Sequence, residues 1–342
     1  MTRTLLSAGA TTVAGLVLVG LPSVAAAEEP ARPPKYDHVV IVVEENKDFD
    51  QIVDNPKAPY LNVLRKEGAT FTQMYGEEHH SQGNYFWLFS GDNHGVGFFN
   101  GVPNEKIKGT PSLGRALLDK GLTFGGYSES LPEIGSEVVA FPPHKKGGPP
   151  TLYARKHVPW VSFDNLPIDP ADGPSCHLRL DDFPHDFTRL PTVAFVIPNL
   201  SNDMHDPFDK PDVSIPRGDA WLKAHLDPYY QWAKTHNSLL IVTFDENDDE
   251  KNLAGLTDPA VKPSSPTDRK GKDRQNRVLT VFAGAHVKPG EYPERNGITH
   301  VNLLRTLEAM YGLEKSGRQQ PNAVSAGIAD DFVITDVFEP AK

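Results

Sequence analysis

The sequence predicts an α/β protein built on a doubly wound, mainly parallel sheet. Three observations predict it. Runs of β-branched and other apolar residues at 38–43, 192–198, 238–244 and 278–283 read as strands buried on both faces, as in parallel sheets. Helical patterns stopped by glycine, such as 60–68, 112–121 and 299–312, alternate with them. Several strands stop on polar clusters, and in open α/β sheets ligands bind beyond the carboxyl ends of the strands.

In chain order, the first stretch is not part of this fold. Arg3 precedes an apolar run from Ala8 to Leu21 and then Ala25-Ala26-Ala27, the pattern of a secretory signal cleaved after Ala27. The run is short and rich in Gly and Thr, which disfavours the alternative of a retained membrane anchor. The 342 residues less these 27 leave 315, enough for one large α/β domain over 28–342. The organising strand is Val39-Val40-Ile41-Val42-Val43. It stops on Glu44, Glu45 and Asn46, of which Glu44 is expected only to end the strand and face water.

A helix over 60–68 and a strand over 69–75 follow. Ser81 then stands where a strand end gives way to a helix, in His80-Ser81-Gln82-Gly83-Asn84-Tyr85. Taken alone, that serine reads as an N-cap; a hydroxyl there also faces free backbone N–H groups that favour anions. A helix over 112–120 and a strand over 122–127 come next. Residues 131–186 break the pattern with crowded prolines and glycines, an irregular excursion of the kind that carries function. His157 lies within it and could be a surface histidine.

The strand at 192–198 ends on Asn199-Leu200-Ser201-Asn202-Asp203-Met204-His205-Asp206. A helix over 218–236 follows, kinked by Pro228, with His225 and His236 on its surface. The strand at 238–244 ends on Asp245-Glu246-Asn247-Asp248-Asp249-Glu250. Its start suggests a calcium loop, but Glu250 stands where the EF-hand needs Gly and Leu256 where it needs Glu. Residues 253–276 read as a mobile loop, 278–283 as a strand and 299–312 as an amphipathic helix with His300 in its first turn.

Composition narrows the function. The formal charge is −11 with no basic patch interleaved with aromatics, which disfavours nucleic acid as partner. The single cysteine, Cys176, cannot form an intramolecular disulfide and has no regular element to position it as a nucleophile. No glycine-rich phosphate loop is present. If the strands are parallel, Glu45-Asn46, Asp203, His205, Asp206, Asp245-Glu246 and Ser81 converge on one sheet edge. Glu, Asn and Asp are oxygen ligands suited to a divalent cation, with zinc, calcium and magnesium all open. Clustered carboxylates repel unless a cation joins them, and a hydroxyl beside that cation becomes a nucleophile.

Six segments carry a resemblance: Glu45-Asn46-Lys47-Asp48-Phe49-Asp50, His80 to Tyr85, Lys156-His157-Val158-Pro159-Trp160, Pro198 to Asp206, Thr243-Phe244-Asp245-Glu246-Asn247 and His300 to Glu308. In this order the chain resembles the phosphoesterase family that joins secreted acid phosphatases with bacterial phospholipases C, within the alkaline phosphatase-like superfamily. The resemblance implies an alkaline phosphatase-like fold and Ser81 as the nucleophile, through a phosphoserine intermediate. It implies a metal held by Glu45, Asn46, Ser81, Asp245 and Glu246. It implies histidines at the phosphoryl oxygens or leaving group, His205 and His300 first, then His157 and His80. The chain departs from the pattern at Gly83, where acid phosphatases of the family usually have Pro, and at Val301-Asn302, where Tyr-Ser is common. It lacks the phospholipase branch's His-Tyr-Phe-Gly-like continuation after Phe49-Asp50. It also has Glu246-Asn247-Asp248-Asp249 where that branch is glycine-rich.

The expectation is a secreted phosphomonoesterase acting on a small phosphate ester, with no stable membrane insertion. A phospholipase C or other phosphodiesterase is the runner-up. A non-catalytic metal- or phosphate-binding exported protein is the alternative of another class, disfavoured because a binding site needs no nucleophile.

Overall fold

The structure is a computed structural model that describes residues 1, 32–96, 102–103, 105–205, 210–248, 276–294 and 297–339. The expected signal segment at 1–27 and nearly all of the loop expected at 253–276 lie outside the described residues, as does Asp206. Residues Arg32–Lys342 form one compact unit.

The strands are β1 (His38–Glu44), β2 (Ala69–Tyr75), β3 (Phe124–Ser128), β4 (Ala140–Phe141), β5 (Tyr153–Ala154), β6 (His177–Arg179), β7 (Val193–Ile197), β8 (Ser238–Phe244), β9 (Arg277–Gly284), β10 (Gly290–Tyr292) and β11 (Ile298–Thr299). The helices are α1 (Phe49–Ile52), α2 (Pro59–Glu67), α3 (Ser81–Ser90), α4 (Leu113–Asp119), α5 (Pro211–Ala233), α6 (His300–Tyr311) and α7 (Pro321–Ser325). Among the described residues the main sheet runs β10-β2-β9-β8-β1-β7-β3-β6, with β11 also on β2. Its pairs are parallel except at β9, which is antiparallel to both β2 and β8. The expected mainly parallel α/β sheet is therefore the fold. β4 and β5 form a separate two-stranded ribbon.

Sheet direction builds the site edge. β1 lies parallel between β7 and β8, with Val42 opposite Val196 and Glu44 opposite Phe244. The next residues, Glu45 and Asp245, therefore leave the sheet side by side. Two antiparallel steps through β9 turn β2 the same way as β8 and β1, so its end at Tyr75 delivers the chain to that edge too. Six residues later α3 begins at Ser81.

Helices pack in two groups, α2 with α5, and α3 with α4 and α6. α5 begins at Pro211, seven residues before the expected start; Pro211 sits at N1, where its missing N–H costs nothing, and Pro216 and Pro228 are carried inside. Asp219 of α5 accepts hydrogen bonds from Tyr60 N (2.9 Å) and Leu61 N (2.8 Å), satisfying the first turn of α2 that Ala58 cannot cap. α6, expected to be amphipathic, is buried nearly throughout. Arg305 allows this, because its guanidinium bonds Glu308 (2.8 Å) and the carbonyls of Ser316 (2.9 Å) and Gly317 (3.3 Å).

The excursion at 131–186 folds as short 3-10 turns with β4, β5 and β6. Trp160 pins it to the sheet. Its ring fills the space over β3 that a Cβ on Gly126 would occupy, and its Nε1 donates to His177 Nδ1 at 2.9 Å. Phe89, Phe124 and Phe195 close around it. This packing fixes His157 three residues upstream.

Candidate active site

Ser81 is the first residue of α3, and the N-cap is His80. The serine is therefore not the cap that its local sequence suggests. Its buried hydroxyl donates instead to Glu45 Oε2 at 2.9 Å and lies 3.4 Å from Glu246 Oε1. The helix N-terminus brings unpaired N–H groups and a positive dipole end to the same place. Asn46 ties the two strand ends together. Its backbone N–H donates to Asp245 Oδ1 (3.2 Å) and its Nδ2 to Glu246 Oε1 (3.3 Å).

Glu45, Asn46, Ser81, Asp245 and Glu246 thus meet, and all are buried. Burial pushes Glu45 up, against the Lys156 ammonium and the Tyr85 hydroxyl, which pull it down. Burial, with Glu45 and Glu246 as neighbours, raises Asp245 well above the carboxylate range. Asn46 Oδ1 and Asp245 Oδ2 are buried acceptors with no hydrogen-bond partner. Among the described residues no three His, Cys, Asp or Glu side chains alone converge to hold an ion; the converging set includes Asn46 and Ser81. Oxygen donors, mutual repulsion and orphaned acceptors together fit a divalent cation.

The histidines divide. His157, expected as a possible surface residue, is 1% exposed; its Nε2 lies 3.2 Å from Glu45 Oε1 and its ring stacks on Tyr85 at 5.0 Å. Burial first, then Lys156 and His205, holds it well below its usual pKa, so the Glu45 contact is dipolar rather than an ion pair. His205 is half-buried, its pKa lowered to about 3 by burial and then by Lys156 and Lys47. His300 is placed differently. Its Nε2 must carry a proton, since it faces the Phe244 carbonyl at 2.9 Å, and its buried Nδ1 has no partner. That bond fixes the residue before Asp245. His80 is half-buried at the cap, while its neighbour His79 lies 2.9 Å from Glu246 Oε2 through Nδ1.

Local sequence missed further members. Tyr85 donates to Glu45 Oε1 at 2.6 Å. Asn84 reaches Glu246 Oε2 at 3.5 Å and its Oδ1 accepts from Glu77 N at 2.8 Å. The helical spacing of α3 was the available signal for both: Ser81, Asn84 and Tyr85 share one face at i, i+3 and i+4. Asp203, expected at this edge, accepts from Glu45 N through its carbonyl at 2.7 Å. Glu44 does not face water. It is fully buried, neither carboxylate oxygen has a hydrogen-bond partner, and burial with Asp203, Asp219 and Glu129 raises its pKa. The turn after β7 brings Asp203, helix α5 brings Asp219 and the end of β3 brings Glu129 near this end of β1.

Two departures from the family pattern now have physical content. A Cβ at Gly83 would overlap the Glu78 carboxylate, which holds Asn93 at 2.9 Å, so this chain fills the family's Pro space with Glu78. Asn302 works outside the pocket. It accepts from Thr299 N at 3.0 Å in the α6 capping box and donates to Ala329 O at 2.9 Å.

Comparison with known proteins fits this edge. A model of the phosphoesterase family matches residues 53–314. The chain belongs to the phosphoesterase family. It is 43% identical over 286 residues to a phosphatidylinositol-3-phosphatase of Mycobacterium tuberculosis, covering 83% of this chain and 80% of that protein. It is 28% identical over 298 residues to a phosphate-repressible acid phosphatase of Penicillium chrysogenum, spanning 61% of that protein's length. In fold it is similar to an alkaline phosphatase superfamily protein from Vibrio parahaemolyticus, with a TM-score of 0.51 at 14% identity over 88% of this chain and 71% of that one. The family makes this phosphoesterase a hydrolase of phosphoric esters.

Proposed function

We propose that this phosphoesterase is an exported, metal-dependent phosphomonoesterase that works through a phosphoserine on Ser81. One observation supports this most: the Ser81 hydroxyl is held between Glu45 and Glu246 at a helix N-terminus, beside two buried acceptors with no partner. A divalent cation bound by Glu45, Asn46, Ser81, Asp245 and Glu246 would supply charge neutralisation and a more acidic hydroxyl.

The chain's own residues do the rest. Ser81 Oγ bonds to phosphorus as the ester P–O bond breaks, and its proton passes to Glu45. Burial, with Lys156 beside both, lowers the pKa of His157 and His205 and favours their neutral forms. A phosphate dianion beside them raises their pKa, so that one protonates the departing alkoxide. The histidine that gave up its proton then takes one from a water that attacks phosphorus, the Ser81 Oγ–P bond breaks, and Glu45 returns its proton to Oγ as phosphate leaves. His300 orients the end of β8 through Phe244, and His80 holds the N-cap position of α3.

The named relative supports a monoester substrate, since the 3-phosphate of a phosphoinositide is one. The missing phospholipase segments support the same choice. The test is hydrolysis of p-nitrophenyl phosphate with and without chelator, beside bis-p-nitrophenyl phosphate and phosphatidylcholine. Chelator-sensitive turnover of the monoester with little diester cleavage is expected; diester preference returns the phospholipase reading. Export is tested by N-terminal sequencing of secreted protein, expected to begin at Glu28.

A further inference from the structure

Among the described residues eight large apolar side chains are exposed, and four of them gather in one place. Ile134 (37%), Val138 (40%), Val139 (57%) and Phe141 (39%) stand exposed along eight residues leading into and including β4. The β4–β5 ribbon belongs to no larger sheet. Its connecting loop exposes His144, Lys145 and Lys146 between paired prolines. Between Val138 and Phe163 the chain has Lys145, Lys146, Arg155 and Lys156 and no Asp or Glu, in a protein of formal charge −11. The nearest acids before it are Glu133, which is exposed, and Glu137, which pairs with Lys106 at 2.8 Å.

The ribbon is joined to the site. β5 runs straight into Arg155–His157, whose last residue touches Glu45 and whose Lys156 acts electrostatically on Glu45, Asp203 and His205. Its base is held by Leu200 N donating to Leu152 O at 2.8 Å, on the turn that carries Asp203 and His205. Exposed apolar residues beside lysines, on an acidic protein, fit a surface that is apolar below and anionic above. Net negative charge over the rest of the protein turns it away from such a surface and leaves this ribbon to meet it.

We propose that the β4–β5 ribbon docks the protein peripherally on an anionic lipid bilayer, with Val138, Val139 and Phe141 entering the interface and Lys145 and Lys146 on the headgroups. This goes beyond the phosphomonoesterase reading and rests on it only for lipid turnover. The ribbon then sets the site wall formed by Lys156 and His157 next to the headgroup layer, so a phosphorylated lipid headgroup is the substrate presented to it.

The test is cosedimentation of the full exported chain with vesicles of phosphatidylcholine, and of phosphatidylcholine with phosphatidylserine, at low and high salt. Wild type is expected on the anionic vesicles only, and less at high salt. Each lysine near an anionic surface contributes about fivefold, so Lys145→Glu/Lys146→Glu is expected to weaken binding by at least about 25-fold. Val139→Asp/Phe141→Asp is expected to abolish it. Both variants should melt as wild type and hydrolyse p-nitrophenyl phosphate as wild type, while phosphoinositide turnover in vesicles falls with binding. Wild type that ignores anionic vesicles, or variants that bind as wild type does, would overturn the proposal. A concentration-dependent dimer lost in Val139→Asp/Phe141→Asp, without vesicle binding, would assign the ribbon to a second copy instead. Vesicle binding with the expected variant losses but no phosphatase turnover would sink the enzyme reading and leave the docking surface standing.

Discussion

Replacing Tyr85 by Phe removes one oxygen from the densest part of the site and leaves the ring that stacks on His157. The lost bond is a 2.6 Å hydroxyl donation to a fully buried Glu45 carboxylate. Hydrogen bonds to charged groups contribute about 1.5–3 kcal/mol. For a compact unit spanning Arg32–Lys342, unfolding entropy of about 2.1 cal/mol/K per residue converts about 2 kcal/mol into roughly 3 °C of melting temperature. The functional consequence has a definite sign. Burial holds Glu45 above its usual pKa and the Tyr85 hydroxyl pulls it down, so its loss sends Glu45 higher. Turnover needs Glu45 as a carboxylate, so the acid limb of the kcat profile moves to higher pH. Sensitivity to chelator also rises, because Glu45 is less firmly held. The assay is p-nitrophenyl phosphate hydrolysis across pH, with and without chelator, for wild type, Tyr85→Phe and Tyr85→Leu. Tyr85→Leu also frees the His157 ring and should lose more turnover. An acid limb and chelator response in Tyr85→Phe identical to wild type would refute the reasoning.

Metal analysis of Glu45→Ala/Asp245→Ala is expected to show the bound divalent cation lost, whereas retention at the wild-type level would place the ion elsewhere. His177 predicts an acid limb in stability. Burial lowers its folded pKa to about 3 from an ordinary 6.5, with Trp160 donating to Nδ1. The unfolded chain therefore takes the proton first, and stability falls as pH drops from about 6.5 towards 3, by up to about 1.4 kcal/mol per pH unit. Glu77, pushed up to about 8 by burial, works in the other direction as pH rises from 4.5. The measurement is thus the difference between wild type and His177→Gln in urea midpoint against pH. A flatter acid limb in the variant is expected, and parallel curves would count against it.

The fold was legible because its strands are fully buried. Val39 to Val43 can only be a central strand, and β7 and β8 read the same way. β9 was found as a strand, but its antiparallel direction lies in pairing with β2 and β8, which no local pattern records. The start of α5 lay seven residues before the expected 218 because the helix takes Pro211 at N1 and carries Pro216 inside. At the site, Glu45, Asn46, Ser81, Asp245 and Glu246 were legible because parallel strands send their ends to one edge. The histidines were not. His79 and His80 are adjacent in sequence, and only backbone direction decides that His79 meets Glu246 while His80 holds the N-cap position of α3. Without the family resemblance, His157 could not be told from a surface residue, because Trp160 on Gly126 is what places it. Glu44 was misread because a strand-ending acid usually meets water, and here α5 and the turn after β7 cover it.

Covalent capture at Ser81 tests the central claim most directly. Wild-type protein turning over a labelled phosphate monoester is quenched in acid, digested and mapped. Label is expected on the peptide containing Ser81, and none in Ser81→Ala, which should fold and lose turnover by several orders of magnitude. Losing an ordinary helix cap would instead cost about 1 kcal/mol of stability and leave the chemistry nearly intact. Label on another residue, or near-normal turnover in Ser81→Ala, would contradict the account.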